Sequence, residues 1–319
     1  MLQLAEHARL ESHGIAEAAA QGLLGNVTGE FRERLLQHRP ADDELPNQVE
    51  YAVNALGVHT QNVFREYRVA GLAGSRQFFP GLRGAPTIIL CHGYQSSRGE
   101  LLTLVSALQD HQYNVFVFDF AAHGGNAGTT TFGYREADEV RAAVDTIARR
   151  NDVDATRFGL WGYNLGAYAA LREAEKDPRV RALVLDSVYD APEQMVKIGV
   201  EKTGVGGFPL MVKSAQTTFE WLNYAYKNDA PVSSKLKQLV DVPILFIQAA
   251  DDPGLGTITR NVFLKASEPR EQAIIAHGNF VSLPDEEKRT YENRVVTFFL
   301  TRLPASVVSA TTATAKPTR

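Results

Sequence analysis

The sequence predicts an α/β protein built on a doubly wound, mostly parallel sheet. Two observations carry this reading. Short, continuous apolar runs, rich in β-branched residues, recur along the middle of the chain and stop at Gly or Asp. Between them lie longer stretches in which apolar residues return every three to four positions. Strands buried on both faces and joined by helical crossovers produce that alternation.

Taken in order, residues 1 to about 60 are rich in Ala, Glu, Leu and Gln. They predict two or three short helices punctuated by Gly25, Asn26, Thr28, Pro40 and Pro46, an N-terminal helical extension. The segments YRVAG and RQFFPG near 67–81 predict an antiparallel addition at the sheet edge. PTIILCHG (86–93) reads as a buried parallel strand, followed by a helix over roughly 98–110 and a second such strand, YNVFVFDF (113–120). GYREADEVRAAVDTIARR (133–150) places Val140, Ala143, Val144 and Ile147 on one helical stripe. Further strands are expected in TRFGLWG (156–162), VRALVLDS (180–187), VPILFIQAAD (242–251) and QAIIAHG (272–278), with a helix from about 165 and a terminal helix in YENRVVTFFLTRL. The main domain is thus expected over 61–303, and the small, polar residues of 304–319 predict a disordered tail.

Bulk properties narrow the function. The 319 residues are 44% hydrophobic and 22% charged, as in an ordinary soluble protein. A net charge of -4 with scattered basic residues gives no nucleic-acid footprint. Cys91 is the single cysteine, so no internal disulfide can form. The N-terminus lacks the basic start and apolar run of a secretory signal, and no apolar stretch is long enough to span a membrane. A cytoplasmic location is expected, and oligomeric state is left open. No His/Cys/Asp cluster has metal-ligand spacing and no Gly-rich phosphate loop is present, so neither a metal nor a cofactor is expected.

The segment FGLWGYNLGAYAAL (158–171) brackets Asn164 as Gly162-Tyr163-Asn164-Leu165-Gly166, between a strand and a helix. This resembles the nucleophile elbow Gly-x-Ser-x-Gly of α/β hydrolases, whose sharp turn lifts the central side chain above the sheet. Three further matches come in the right order. His92-Gly93-Tyr94 follows a predicted strand like the family's His-Gly oxyanion turn. Asp119-Phe120-Ala121-Ala122-His123-Gly124 resembles the Asp-x-Arg-Gly-x-Gly loop without its Arg. Asp252 and His277 follow the last two strands, in the elbow, acid, histidine order of the family. The resemblance covers 61–303 and is closest to the serine-aminopeptidase and esterase-like branch. It implies a lid at about 190–240, where Phe208, Leu210, Met211, Phe219, Trp221, Leu222, Tyr224 and Tyr226 suit a cap over an apolar pocket.

By that resemblance His277 would be the base, Asp252 its orienting acid, and the N–H groups of Tyr94 and Leu165 the oxyanion donors, with Gly93 opening the turn. Asp251 competes with Asp252, and Asp186 occupies the place some members use for the acid. The chemistry departs at Asn164. A carboxamide is a poor nucleophile with no ionisable proton for His277 to remove, and nucleophile loss costs on the order of a million-fold in rate. Asn also tolerates left-handed backbone angles, so it can hold the turn for structural reasons alone. Ser96, Ser97 and Ser187 read as helix caps, Cys91 as an inert core thiol and His123 as a turn stabiliser. Three expectations follow: a silenced hydrolase that keeps a pocket for a small apolar, acyl, ester or peptide-like ligand; an enzyme using His277 and Asp252 without a covalent intermediate; or a partner-binding scaffold.

Overall fold

A computed structural model describes residues 76–203, 207–226, 228–229 and 231–305. The N-terminal extension, the YRVAG segment and the tail from 306 onward lie outside the described residues. Inter-residue contacts divide the chain after Val63, and every described residue belongs to the second unit, Phe64–Arg319.

The apolar runs form seven strands: β1 (Arg76–Phe79), β2 (Thr87–Cys91), β3 (Asn114–Phe118), β4 (Phe158–Tyr163), β5 (Val180–Asp186), β6 (Ile244–Ala249) and β7 (Arg270–Ile275). Their order across the sheet is β1-β3-β2-β4-β5-β6-β7. Only β1 is antiparallel, pairing Arg76 with Phe118, which is the expected edge strand. The remaining pairs are parallel. Because parallel strands need crossovers, helices cover both faces. They are α1 (Leu102–Gln109), α2 (Tyr134–Ala148), α3 (Leu165–Ala174), α4 (Pro192–Lys202), α5 (Pro209–Leu222), α6 (Pro253–Lys265) and α7 (Asp285–Arg302).

The strict alternation of side chains along a strand splits the core in two. Ile88, Leu90, Val115, Val117, Leu245 and Ile247 pack with α1 and α7. Ile89, Cys91, Phe116, Phe118, Ile244 and Phe246 pack with α2, α3 and α6. The chain steps from β2 outward to β3, then crosses back to β4 on the other side of β2. That reversal places the carboxyl ends of β2 and β4 at the topological switch point, where open α/β sheets bind ligands.

The insertion between β5 and β6 contains α4 and α5. Its apolar residues do not all face inward as the sequence suggested. Phe219 and Tyr226 pack on the core, whereas Phe208, Leu210, Met211, Trp221, Leu222 and Tyr224 are exposed. The reason is geometric: α5 buries no residue completely, so only one edge of its apolar surface meets the domain.

A buried polar chain ties α7 to the sheet. Trp161 Nε1 donates to Tyr291 Oη at 3.0 Å, and Tyr291 Oη donates to Asp186 Oδ2 at 2.8 Å. Ser187 Oγ donates to Asp186 Oδ1 at 2.9 Å, so Ser187 braces this carboxyl instead of capping a helix. Burial pushes the Asp186 carboxyl up to about 7, against the pull of the two hydroxyl donors. Removing the Tyr291 hydroxyl strands the indole N–H and leaves Asp186 Oδ2 without its donor. Tyr291→Phe is therefore expected to cost about 1–3 kcal/mol in urea unfolding, whereas a loss below about 0.5 kcal/mol would show the chain to be dispensable.

Candidate active site at the elbow

Asn164 ends β4 and starts α3 with φ 52° and ψ -108°, an elbow conformation that few side chains adopt. The strain is held by its neighbours. Asn164 N–H donates to the Asp186 carbonyl at 2.8 Å, and Tyr168 N–H donates to the Asn164 carbonyl at 3.1 Å. Glycines permit the tightness of the turn. A Cβ on Gly162 would lie 2.4 Å from the Gly166 carbonyl oxygen, and one on Gly166 would lie 2.0 Å from the Cys91 carbonyl oxygen. A Cβ on Gly93 would strike the Tyr163 ring at 2.3 Å. The His92-Gly93-Tyr94 turn and the start of α3 are thus packed backbone against backbone.

Asn164 is 8% exposed, and its carboxamide is only half used. Nδ2 donates to the sulfur of Met195, on α4, at 3.7 Å. Oδ1 is buried and has no partner. Although Asn164 occupies the N-cap position of α3, its side chain makes no cap bond. The N–H groups of Tyr94 and Leu165 have no acceptor among the described residues. The Tyr94 side chain is 39% exposed, and its ring lies 4.9 Å from that of Phe132, which lies 5.8 Å from Phe219 on α5.

His92 supports the turn. Its Nδ1 bonds the Gly93 carbonyl at 2.8 Å, and its Nε2 accepts from Phe120 N–H at 3.0 Å. Together these bonds require the neutral ring with its proton on Nδ1. Burial, opposed mainly by the Gly93 bond, lowers its pKa to about 4. A folded-state value below the unfolded value of about 6.5 means stability that is present above pH 6.5 and lost as pH falls toward 4. The effect amounts to roughly 3 kcal/mol at most. The urea midpoint should fall between pH 7 and pH 4.5, and His92→Asn should flatten that slope; an unchanged slope in the variant would assign it elsewhere.

Asp119 accepts from Arg98 N–H at 2.6 Å and also from the Arg98 guanidinium. The arginine missing from the 119–124 loop is thus supplied from the turn before α1. His123 Nδ1 bonds the Ala121 carbonyl at 2.9 Å, as a turn stabiliser does. Cys91 is fully buried, and burial pushes its thiol far up. Ser97 precedes the turn at 98–101, with its N–H donating to Glu100, while Ser96 Oγ donates to the same carboxylate.

The acid and the histidine are engaged differently from the sequence expectation. Asp252 caps α6, accepting from Leu255 N–H at 3.0 Å, and meets Lys202 of α4 at 3.3 Å. It makes no bond to His277 among the described hydrogen bonds. Asp251 reaches the His277 loop instead, accepting from Gly278 N–H at 2.7 Å. His277 Nδ1 pairs with Glu287, in the first turn of α7, at 2.9 Å, and that carboxylate raises the imidazole pKa. The His277 side chain is 57% exposed, and no described hydrogen bond joins it to Asn164. An N-cap role competes for Asp252 because it directly precedes Pro253, which starts a helix. Glu287, Met195 and Lys202 had no sequence motif. The one available signal for Glu287 was its place in the acidic run Asp285-Glu286-Glu287, ten residues beyond His277.

Two surface cavities lie elsewhere. One, of about 340 Å³, is lined by Asp190, Gln194, Ile258, Asn261, Leu264 and Lys265. The other, of about 470 Å³, lies along Lys213–Trp221 of α5. Neither has an elbow residue in its wall. Among the described residues no group of three or more His, Cys, Asp or Glu could hold a metal, and no helix is long and apolar enough to cross a membrane.

The sheet order, the strained residue between β4 and α3 and the abutting His-Gly turn define an α/β-hydrolase fold, and the family described by that name matches residues 86–223. The chain has the α/β-hydrolase fold. It is similar to the uncharacterized YfhR of Escherichia coli K12, 23% identical over 228 residues, which are 70% of this chain and 73% of that one. It is also similar to the uncharacterized Rv2307c of Mycobacterium tuberculosis H37Rv, 26% identical over 201 residues, or 62% and 64% of the two chains. Among solved structures, the Pyrococcus furiosus esterase Pf2001 aligns with TM-score 0.59 and 20% identity over 76% of this chain and 92% of the esterase. The α/β hydrolase GrgF from Penicillium sp. sh18 aligns with TM-score 0.57 and 16% identity over 76% and 98%. At these identities the likeness concerns the fold.

Proposed function

We propose that this chain descends from esterases or peptidases of the serine-aminopeptidase-like branch, is silenced as a serine hydrolase by Asn164, and binds a small apolar acyl, ester or peptide-like ligand at the old elbow. The observation that carries this reading is Asn164 itself: elbow geometry retained, nucleophile absent, and a buried carboxamide with an unused oxygen. The unpaired N–H groups of Tyr94 and Leu165 serve as the polar anchor. The insertion at about 190–240 acts as a lid, since Met195 of α4 already rests on Asn164. In this reading the hydrolase domain spans 61–303 between an N-terminal extension and a polar tail, and the protein works in the cytoplasm on a small molecule, without nucleic acid.

A second reading has one observation in its favour. The His277–Glu287 pair at 2.9 Å is a ready general base for a water-mediated reaction without a covalent intermediate. Assaying p-nitrophenyl esters and amino-acid anilides with the unmodified protein and with Asn164→Ser separates the two. Turnover by the serine variant alone supports the silenced hydrolase. Turnover by the unmodified protein, lost in His277→Ala, would replace it with the second reading.

A further inference from the structure

We propose that the cavity between the start of α4 and α6 is a binding site, separate from the elbow, for a free α-amino acid with an aliphatic side chain. Its volume of about 340 Å³ falls at the lower end of the range for small-molecule pockets. Two segments build its wall. Ile258, Asn261 and Lys265 recur at three- and four-residue spacing, so they share one face of α6. Asp190 and Gln194 come from the loop after β5 and the first turn of α4.

Opposite charges are held there without being spent on each other. Asp190 accepts from Ser233 N–H and from Ser233 Oγ, both at 2.8 Å, one bond to each carboxylate oxygen. Lys265 Nζ donates to Ser233 Oγ at 3.0 Å but lies 3.8 Å from Asp190 Oδ2, too far for a hydrogen bond. A carboxylate accepts about four hydrogen bonds and an ammonium donates about three, so each keeps places open. Both are accessible: the Lys265 side chain is 55% exposed and that of Asp190 19%. Ser233 between them is buried, which fixes the pair.

The neutral side chains add donors and an apolar surface. Gln194 Oε1 accepts from the N–H groups of Asp190 and Ala191, at 2.8 and 3.2 Å. Its oxygen is thereby committed, and its Nε2 group has no acceptor among the described residues. The exposed Asn261 carboxamide makes no bond among them either. Leu264 is exposed and Ile258 is partly buried against the core. A ligand that matches all of this carries a cation, an anion and an apolar group within a few atoms. In an α-amino acid the ammonium meets Asp190, the carboxylate meets Lys265 and the two amides, and the side chain covers Ile258 and Leu264. A plain fatty acid would set its carboxylate beside Asp190 uncompensated, and a plain amine would set like charge beside Lys265.

Isothermal titration of the full chain at neutral pH with L-leucine, 4-methylpentanoate and 3-methylbutylamine separates these cases. The second probe lacks the ammonium and the third lacks the carboxylate. Leucine is expected to bind about tenfold or more tighter than either, because each analogue forfeits the hydrogen bonds of one charged group. Lys265→Met removes the charge and keeps an apolar stem, so leucine should weaken about tenfold or more while the amine does not weaken. A merely structural loss would weaken both probes, and a melting curve checks the fold. Lys213→Met, an exposed change on α5, should alter nothing. Equal affinity of leucine and either analogue would overturn the zwitterion selectivity. Leucine binding that survives Lys265→Met, or falls equally in Lys213→Met, would take it out of this cavity. Absence of binding by all three at millimolar concentration would remove the site.

Discussion

Asn164→Ser is expected to raise p-nitrophenyl ester turnover at least about a thousand-fold, with a ceiling of about a million-fold, if the proposed reading holds. Ser fits the elbow, since the surrounding glycines and the Asp186 carbonyl already impose the turn on residue 164. On the proposed reading, the substrate carbonyl attacked by this hydroxyl would meet the N–H groups of Tyr94 and Leu165, which have no other partner among the described residues, so a developing oxyanion would be stabilised. His277 must then supply the base, and the structure distinguishes its acid partners. Glu287 holds Nδ1 at 2.9 Å, whereas Asp252 is committed to the cap of α6 and to Lys202.

In the serine background Glu287→Gln should therefore cut kcat by about 10⁴-fold, the loss seen when a triad's orienting acid becomes an amide. Asp252→Asn should cost less than about tenfold, because Asn can keep the cap of α6 and only an exposed ion pair worth little is lost. His277→Ala should abolish the gain. If Asp252→Asn proves as damaging as Glu287→Gln, Asp252 shares the orienting role despite its cap. A serine variant that stays silent on every substrate would mean that His277 does not reach the elbow.

Gly166→Ala should be the most damaging single methyl group in the domain. The added Cβ would fall 2.0 Å from the Cys91 carbonyl oxygen and 2.6 Å from that of His92, and backbone cannot step aside as a flexible side chain can. Overpacking usually costs 1–3 kcal/mol, and a clash with two carbonyls belongs at or above the upper end, so about 3 kcal/mol or more is expected. For a domain of this size that lowers Tm by roughly 10 °C. Gly199→Ala is the matched control. It lies within α4, nothing stands within 4 Å of its added Cβ, and alanine favours helix, so Tm should hold or rise slightly. Equal melting of Gly166→Ala and the unmodified protein would show that β2 and α3 can separate at little cost.

Most of the fold was legible because it is written in local periodicity. TIILC, NVFVF and ILFIQA are apolar without interruption, which only a strand buried on both faces requires. The elbow was legible because its glycines mark a backbone approach that no other residue permits. The side-chain pairings were not legible in the same way. Asp251, Asp252 and Glu287 are all carboxylates near strand or helix ends, and the sequence holds no property that ranks them as partners of His277. The ranking comes from where the loops after β6 and β7 and the first turn of α7 meet.

The amino-acid sequence by itself determined the order and burial of the strands, the position of the elbow and the asparagine at its centre, since each depends on residue type within a few positions. Tertiary structure decided that Glu287 takes His277 while Asp252 caps a helix, and that Asp186 is locked under Tyr291. It also decided that Met195 takes one end of the Asn164 carboxamide and leaves the other free. The physical reason is range. Hydrophobic periodicity and turn geometry act between near neighbours in the chain, whereas a hydrogen bond forms between whichever groups packing brings within about 3 Å.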